Sequence, residues 1–153
     1  MLLLRVTQAL DRARVPYALV GGFAVALHGA VRGTVDVDLV IRLRETDFRR
    51  TEKGLNALGL QSRLPVTASE VFRFRKEYVR NRNLRAWTFV NPSLSSEIVD
   101  VILTEDLADM DIMKLTIQNQ IVRVASVQDL IRMKQGTGRA QDREDVKALK
   151  RLL

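Results

Sequence analysis

Residues 18–41 read ALVGGFAVALHGAVRGTVDVDLVI, and two features of this stretch cost stability unless they serve a function. Gly21 and Gly22 follow directly on an apolar run, where glycine allows the backbone to approach a ligand closely. Asp36 and Asp38 alternate with valine in a strand-like run, so their side chains point to the same face. Two like charges so placed repel each other unless a cation lies between them. The stretch therefore predicts a nucleotide site, with glycines against phosphates and aspartates on a divalent metal ion.

Composition limits the class of protein. A chain of 153 residues with 46% hydrophobic residues can bury its own core, and we expect one domain spanning 1–153. It has no cysteine, which excludes disulfides and Cys-based zinc sites and is compatible with a reducing cytosol. The beginning of the chain has no signal-peptide pattern and no apolar run is long enough to span a membrane, so we expect a soluble, cytoplasmic protein.

The chain carries a formal net charge of +7. Such a balance favours a polyanionic partner, most often nucleic acid. The alternative is a solvated basic surface without a partner.

Periodicity predicts alternating helices and strands, an α/β (α+β) composition; the resemblance described below implies that the strands form a mixed central sheet flanked by helices. Apolar residues on both faces of the strand at 35–42 indicate a central strand. Thr46 is a possible helix cap, and residues 71–75 alternate like a strand. Strands are predicted at 17–20, 35–42, 60–64, 84–90, 96–103, 113–117 and 121–124, and helices before Pro16 and at 23–28, 45–58, 105–109, 126–135 and 139–152.

A third carboxylate, Asp100, is the one polar residue in the apolar run 98–103. An unpaired buried carboxylate costs several kcal/mol, so it should be paired, protonated or bound to metal. If its strand lies beside the strand at 35–42, Asp100 can join Asp36 and Asp38 in a metal centre for phosphoryl or nucleotidyl transfer. The alternative is a hydrogen-bonded core aspartate.

The glycine pair, the Asp-Val-Asp strand and the isolated Asp100 together resemble the polymerase-β-type nucleotidyltransferase superfamily. The finer similarity is to AbiEii-like nucleotidyltransferases, some of which are toxins or abortive-infection proteins. Two sequence motifs carry this finer similarity. The residues that match the first motif are Gly21, Gly22, Ala24, Arg32, Thr34, Asp36 and Asp38, and those that match the second are Lys134, Arg139, Asp142 and Asp145.

The resemblance implies a nucleotidyltransferase fold, an NTP substrate such as ATP, and Mg²⁺ or Mn²⁺ held by the three aspartates. It also implies that Lys134 contacts the triphosphate, which suits a compact positive charge. Arg32 and the residues of the second motif also have interpretations that involve no nucleotide. Lys134 can simply cap a helix C-terminus, and Arg32 can be a solvated loop residue. Arg139, Asp142 and Asp145 can form i,i+3 pairs on a helix face.

The acceptor is the open part of the prediction. Residues 72–87 interleave aromatic and basic side chains, a combination that suits single-stranded RNA or a tRNA end, although the aromatics can instead face the core. Together with the net charge, this favours an RNA acceptor and a toxin-like or defence role. The alternatives are a protein acceptor modified by AMPylation in a toxin–antitoxin pair, with a cognate antitoxin or protein partner, and a non-catalytic nucleotide or RNA binder.

Overall fold

The computed structural model of the protein describes residues 1–29 and 36–153. A mixed sheet forms its centre, with helices packed on both faces. The helices are α1 (Leu2–Arg12), α2 (Gly21–Leu27), α3 (Glu45–Ala57), α4 (Ala68–Arg73), α5 (Arg75–Asn81), α6 (Val127–Lys134) and α7 (Ala140–Lys150), with a 3-10 turn at Leu107–Asp109. The strands are β1 (Tyr17–Val20), β2 (Val37–Ile41), β3 (Gln61–Ser62), β4 (Ala86–Asn91), β5 (Leu94–Ile102), β6 (Ile112–Ile117) and β7 (Gln120–Ala125). The predicted fold class, a mixed central sheet with flanking helices, is confirmed.

The strand order is β3-β4-β5-β2-β1-β7-β6, so β2 lies in the middle of the sheet. It runs antiparallel to β1 and parallel to β5. This arrangement confirms the prediction that the Asp-Val-Asp strand is central, and it meets the condition under which Asp100 can join Asp36 and Asp38.

The two faces of the sheet have different coverings. One face packs against α1, α3 and α4, where Phe48 of α3 stacks on Trp87 of β4 at a centroid distance of 5.6 Å. Because side chains alternate along a strand, Thr88 and Asp100 project to the opposite face, where α2, α6 and α7 pack on one another. His28, directly after α2, donates from Nε2 to the carbonyl oxygen of Ala125 in β7 at 2.8 Å. This bond ties the glycine-containing helix to the sheet.

Two local predictions are wrong. Residues 71–75 belong to α4 and α5 rather than to a strand, because Thr67 and Glu70 form a reciprocal capping box that starts α4. Thr46 does not cap α3, whose N-cap is Arg44 without a side-chain cap bond.

In the described part of the chain, no helix combines the length and the apolar composition that a membrane span requires.

Candidate active site

A cleft of about 1000 Å³ opens over the face of the sheet that carries Asp38 and Asp100. The sheet forms its floor, and α6, the start of α7 and the loop between them form a wall. The predicted site residues that line the cleft are Gly21, Gly22, Asp36, Asp38, Asp100, Lys134, Arg139 and Asp142. Asp145 lies behind this lining, and Arg32 and Thr34 lie outside the described residues.

The register of the sheet brings the carboxylates together. Asp38 of β2 and Asp100 of β5 are direct cross-strand partners. Asp36 immediately precedes β2 and faces the same side two positions earlier. Residues that are far apart in sequence thus lie on the same part of the cleft floor.

Crowding of these carboxylates changes the acidity of one of them. The pKa of Asp38 is raised to about 7, first by burial and then by the neighbouring carboxylates of Asp100 and Asp36, while the Lys134 ammonium opposes these effects. A hydrogen bond between the Asp38 and Asp100 side chains acts in the same direction as burial. Without a cation, the pair is therefore stabilised by a proton.

The glycine pair leaves room for this carboxylate. Gly21 has a φ of +69°, a conformation that glycine adopts without strain. A Cβ built on Gly21 would overlap the carboxylate and the Cβ of Asp38. Gly21 is therefore required by the close approach of Asp38 as well as by its own backbone conformation.

Lys134, at the end of α6, faces the carboxylates from the wall of the cleft. Its Nζ lies 3.3 Å from Oδ1 of Asp142 and 3.0 Å from Oδ2 of Asp145, and its side chain is only 9% exposed. Two aspartates of α7 thus hold this ammonium group in a fixed position. These contacts join Lys134 to side chains of the next helix, so a role limited to capping the C-terminus of α6 does not account for them.

The same network includes the beginning of α7. Asp142 accepts hydrogen bonds from Thr137 at 2.8 Å and from Nε of Arg139 at 2.7 Å. Burial acts to raise the pKa of Asp142, but these hydrogen bonds and the Lys134 charge outweigh it and hold that pKa below its usual value. The side chain of Arg139 is 76% exposed, so its terminal nitrogens remain open to the cleft.

The donor set of the three aspartates fits a hard divalent ion, since Mg²⁺ prefers carboxylate oxygens. As the side chains stand, no group of three or more His, Cys, Asp or Glu within residues 1–29 and 36–153 converges on one metal position. The residues that would hold such an ion are Asp36, Asp38 and Asp100, which line the same cleft.

Sequence reasoning missed several residues of the site. Thr88 donates a 2.5 Å hydrogen bond to Oδ1 of Asp100, and only the pairing of β4 with β5 identifies it. Thr104 and Glu105 also line the cleft, and no motif marks them in the sequence, whereas Arg85, another lining residue, belongs to the basic and aromatic segment at 72–87.

The described chain resembles solved nucleotidyltransferase structures throughout its length. The crystal structure of the lincosamide antibiotic adenylyltransferase LnuA, with lincomycin bound, has 14% identity and a TM-score of 0.66, and the match covers 99% of this chain and 96% of LnuA. The solution structure of the antibiotic-resistance factor ANT(2'')-Ia has 14% identity and a TM-score of 0.63, with 97% of this chain and 80% of that protein covered. An antigenic nucleotidyltransferase-like protein from Paracoccidioides brasiliensis has 20% identity and a TM-score of 0.62, with 98% of this chain and 74% of that protein covered. At these identities the likeness shows the fold.

Sequence comparison identifies the family. No curated protein sequence matches the chain significantly. The profile of the aminoglycoside-2''-adenylyltransferase family, however, matches residues 2–149. This match confirms the predicted superfamily and the predicted enzyme class, nucleotidyltransferase, and it does not support the finer resemblance to AbiEii-like proteins. The chain belongs to the aminoglycoside-2''-adenylyltransferase family.

Proposed function

We propose that the protein transfers the AMP group of ATP to a hydroxyl group of a small-molecule acceptor, with aminoglycosides as the first class to test. The observation that carries this proposal is the pairing of Asp38 with Asp100 on the floor of a cleft, opposite the fixed ammonium of Lys134. The family supports adenylyl transfer and an antibiotic acceptor.

The glycine pair and the wall of the cleft form the nucleotide end. Gly21 and Gly22 have no side chains to keep phosphates from the backbone of α2. On the other side, Lys134 supplies a fixed charge and Arg139 an exposed guanidinium that can turn toward phosphate oxygens. Arg32 and Thr34 stay predicted nucleotide contacts.

Asp36, Asp38 and Asp100 would hold Mg²⁺ or Mn²⁺. When bound, a divalent ion supplies positive charge that neutralises the triphosphate and favours attack on the α-phosphorus. Asp142 and Asp145 support the site by keeping the Lys134 ammonium in place.

In the reaction, the acceptor oxygen forms a bond to the α-phosphorus, and the bond from that phosphorus to the oxygen bridging the β-phosphorus breaks, so pyrophosphate leaves. The acceptor hydroxyl loses its proton to Asp100, which lies on the floor between the nucleotide end and the end lined by Arg85, Ile102 and Thr104. Lys134 and Arg139 stabilise the charge that moves onto the leaving pyrophosphate.

The size of the cleft favours a small acceptor. A volume of about 1000 Å³ lies at the upper end of the range for small-molecule sites, so a nucleotide and a compact second substrate can occupy it together. Lincomycin is bound in the LnuA structure, which has the same fold.

RNA stays a second candidate acceptor, because residues 73–85 carry several exposed basic side chains, of which Arg85 lines the cleft: Arg73, Lys76, Arg80, Arg82 and Arg85. Stacking on aromatic side chains supports it less than the sequence suggested. Trp87 is fully buried and Phe72 packs against the core, whereas Phe74 is 42% exposed. The protein acceptor and the toxin-like role stay predictions without support from the site.

One labelling experiment separates these acceptors. The protein is incubated with ATP labelled at the α-phosphate and Mg²⁺, together with a panel of aminoglycosides and lincosamides, total RNA, or cell lysate. We expect label on an antibiotic, and we expect Asp100→Asn to abolish it while Asp109→Asn, an exposed aspartate outside the cleft, leaves it unchanged. Label on RNA or on a protein instead would overturn the small-molecule acceptor. Lack of transfer to any acceptor would overturn the proposed activity itself.

The exposed basic residues of 73–85 supply an internal control. Lys76→Glu with Arg80→Glu reverses two exposed charges of α5 that do not line the cleft. This double variant should retain transfer to a small molecule. If RNA is the acceptor, the loss of phosphate contacts should reduce its labelling strongly and make it more sensitive to salt.

A further inference from the structure

Thr88 is the cross-strand partner of Asp100, on the open face of the β4–β5 hairpin. Its hydroxyl donates to Oδ1 of Asp100 at 2.5 Å. A hydroxyl-to-carboxylate bond of this length is short and belongs to the stronger class of hydrogen bonds. Threonine is also branched at Cβ, so packing in the strand restricts the directions in which its hydroxyl can point.

The position of Thr88 is fixed from the other side of the sheet. Its neighbours Trp87 and Phe89 are fully buried against the core, with ring centroids 4.6 Å apart. The Trp87 indole Nε1 donates to Oγ of Ser62 in β3 at 3.0 Å. The strand is therefore anchored on both sides of Thr88, and the hydroxyl is presented to Asp100 at a defined register.

This bond has a consequence for the two oxygens of Asp100. Oδ1 is engaged by Thr88, on the β4 side, whereas Asp38 lies on the β2 side and shares a hydrogen bond with the Asp100 side chain. Thr88 thereby favours one rotamer of Asp100, in which the carboxylate spans the distance between β4 and β2.

We propose that Thr88 is a positioning residue that orients the Asp100 carboxylate for its work as metal ligand and proton acceptor, an inference that rests on the proposed function. Partners of this kind, which bond to a ligating carboxylate without touching the metal, contribute about 10–100-fold to metal affinity or activity when removed. A threonine that merely satisfied its own hydroxyl would not affect either quantity.

The test measures Mn²⁺ binding to the metal-free protein by electron paramagnetic resonance, beside steady-state transfer with Mg²⁺ and ATP. Thr88→Val keeps the shape and removes the hydroxyl, and we expect Mn²⁺ affinity and kcat each to fall by about 10–100-fold. Thr88→Ser restores the hydroxyl, and it should restore both quantities to within about 3-fold of the wild type, given the same bond. Thr116→Val, on exposed edge strand β6, controls for the general effect of the substitution and should change neither quantity.

The outcomes separate this inference from the proposed function. If Thr88→Val binds Mn²⁺ and turns over like the wild type, the positioning role is wrong and the proposed function stands. If Thr88→Ser loses as much as Thr88→Val, packing rather than the hydroxyl matters, and the inference is overturned. If the wild type binds no Mn²⁺ and transfers nothing, both fall. Should Thr88→Val fail to fold, Thr88→Ala against Thr88→Ser gives the same comparison, with circular dichroism to establish folding.

Discussion

Gly21 lies so close to Asp38 that a side chain at position 21 would occupy the space of the Asp38 carboxylate. Position 21 therefore requires glycine for two independent reasons. The backbone has a φ of +69°, and Asp38 leaves no space for a side chain. The motif glycine and the motif aspartate form one packing unit.

Gly21→Ala should therefore disable the site more than it destabilises the fold. The added methyl group must displace the Asp38 carboxylate, and misplacement of a catalytic group by about 1 Å costs on the order of 100-fold in rate. Gly59→Ala is the matched control, since Gly59 also has a positive φ (+86°) but open space around its Cβ position. Both variants should lose about 1–2 kcal/mol of folding free energy from the left-handed backbone, measured by urea unfolding. Equal activity of the two variants would refute the steric explanation.

Lys134 should be a stability determinant as well as a phosphate contact. Lys134→Met leaves Asp142 and Asp145, whose side chains are each 4% exposed, without their buried cation. Removal of one partner from such a buried cluster costs about 3–5 kcal/mol. Lys147→Met is the control, since Lys147 is 68% exposed and pairs only with Glu144 on the surface of α7. Its effect should stay within about 0.5 kcal/mol.

A second substitution checks the cause of that loss. Adding Asp145→Asn to Lys134→Met removes one of the two carboxylate charges that Lys134 compensates, so part of the lost stability should return in the same urea titration. Simple additivity of the two losses would show that buried charge is not the reason.

Asp38 makes the stability of the metal-free protein depend on pH. Its pKa of about 7 in the folded protein lies above the 3.8 that an unperturbed aspartate has, so the folded state holds a proton that the unfolded chain releases. The resulting stabilisation is complete below about pH 4 and is lost as the pH rises through about 7. In EDTA, urea unfolding should give a free energy that falls across this window more steeply for the wild type than for Asp38→Asn. Identical slopes would contradict the raised pKa.

The capping box that starts α4 can be tested against a threonine that the sequence wrongly marked as a cap. Thr67 accepts a hydrogen bond from the backbone N–H of Glu70, so Thr67→Ala should cost about 0.5–2 kcal/mol. Thr46→Ala removes no cap bond and should be close to neutral, because α3 has no side-chain cap. Thermal unfolding of the two variants measures the difference, and a larger loss for Thr46→Ala would invert the assignment.

The predicted elements succeeded where local chemistry decides the structure. Gly59, with its positive φ, follows the end of α3, and Ser126 caps α6 through the N–H of Asp129, both visible as residue types at the right spacing. The strand prediction for residues 71–75 was wrong because Phe72 and Phe74 alternate with basic residues as they would in a strand. The capping box a few residues earlier instead starts a helix.

In the candidate site, too, the sequence identifies residues that are unusual in their local context and does not identify contacts that depend on the tertiary fold. An aspartate inside an apolar strand is unusual, so Asp38 and Asp100 could be identified as candidate site residues from the sequence alone. Thr88 could not, since threonine is ordinary in a strand and its role exists only through the register with Asp100. The holding of Lys134 by Asp142 and Asp145 likewise depends on how α7 folds back on α6, which no spacing along the chain determines.

The central position of β2 has a consequence for how the protein is made. Asp38 can meet Asp100 only through parallel pairing of β2 with β5, and the wall with Lys134 comes later still, from α6 and α7. Such distant parallel contacts form slowly, because a long loop must close before they contribute. A nascent chain that has emerged only as far as β2 therefore contains the Asp-Val-Asp motif but not the rest of the site. On the proposed function, enzymatic activity requires α7 to have emerged and docked, so activity would serve as a direct readout of complete folding.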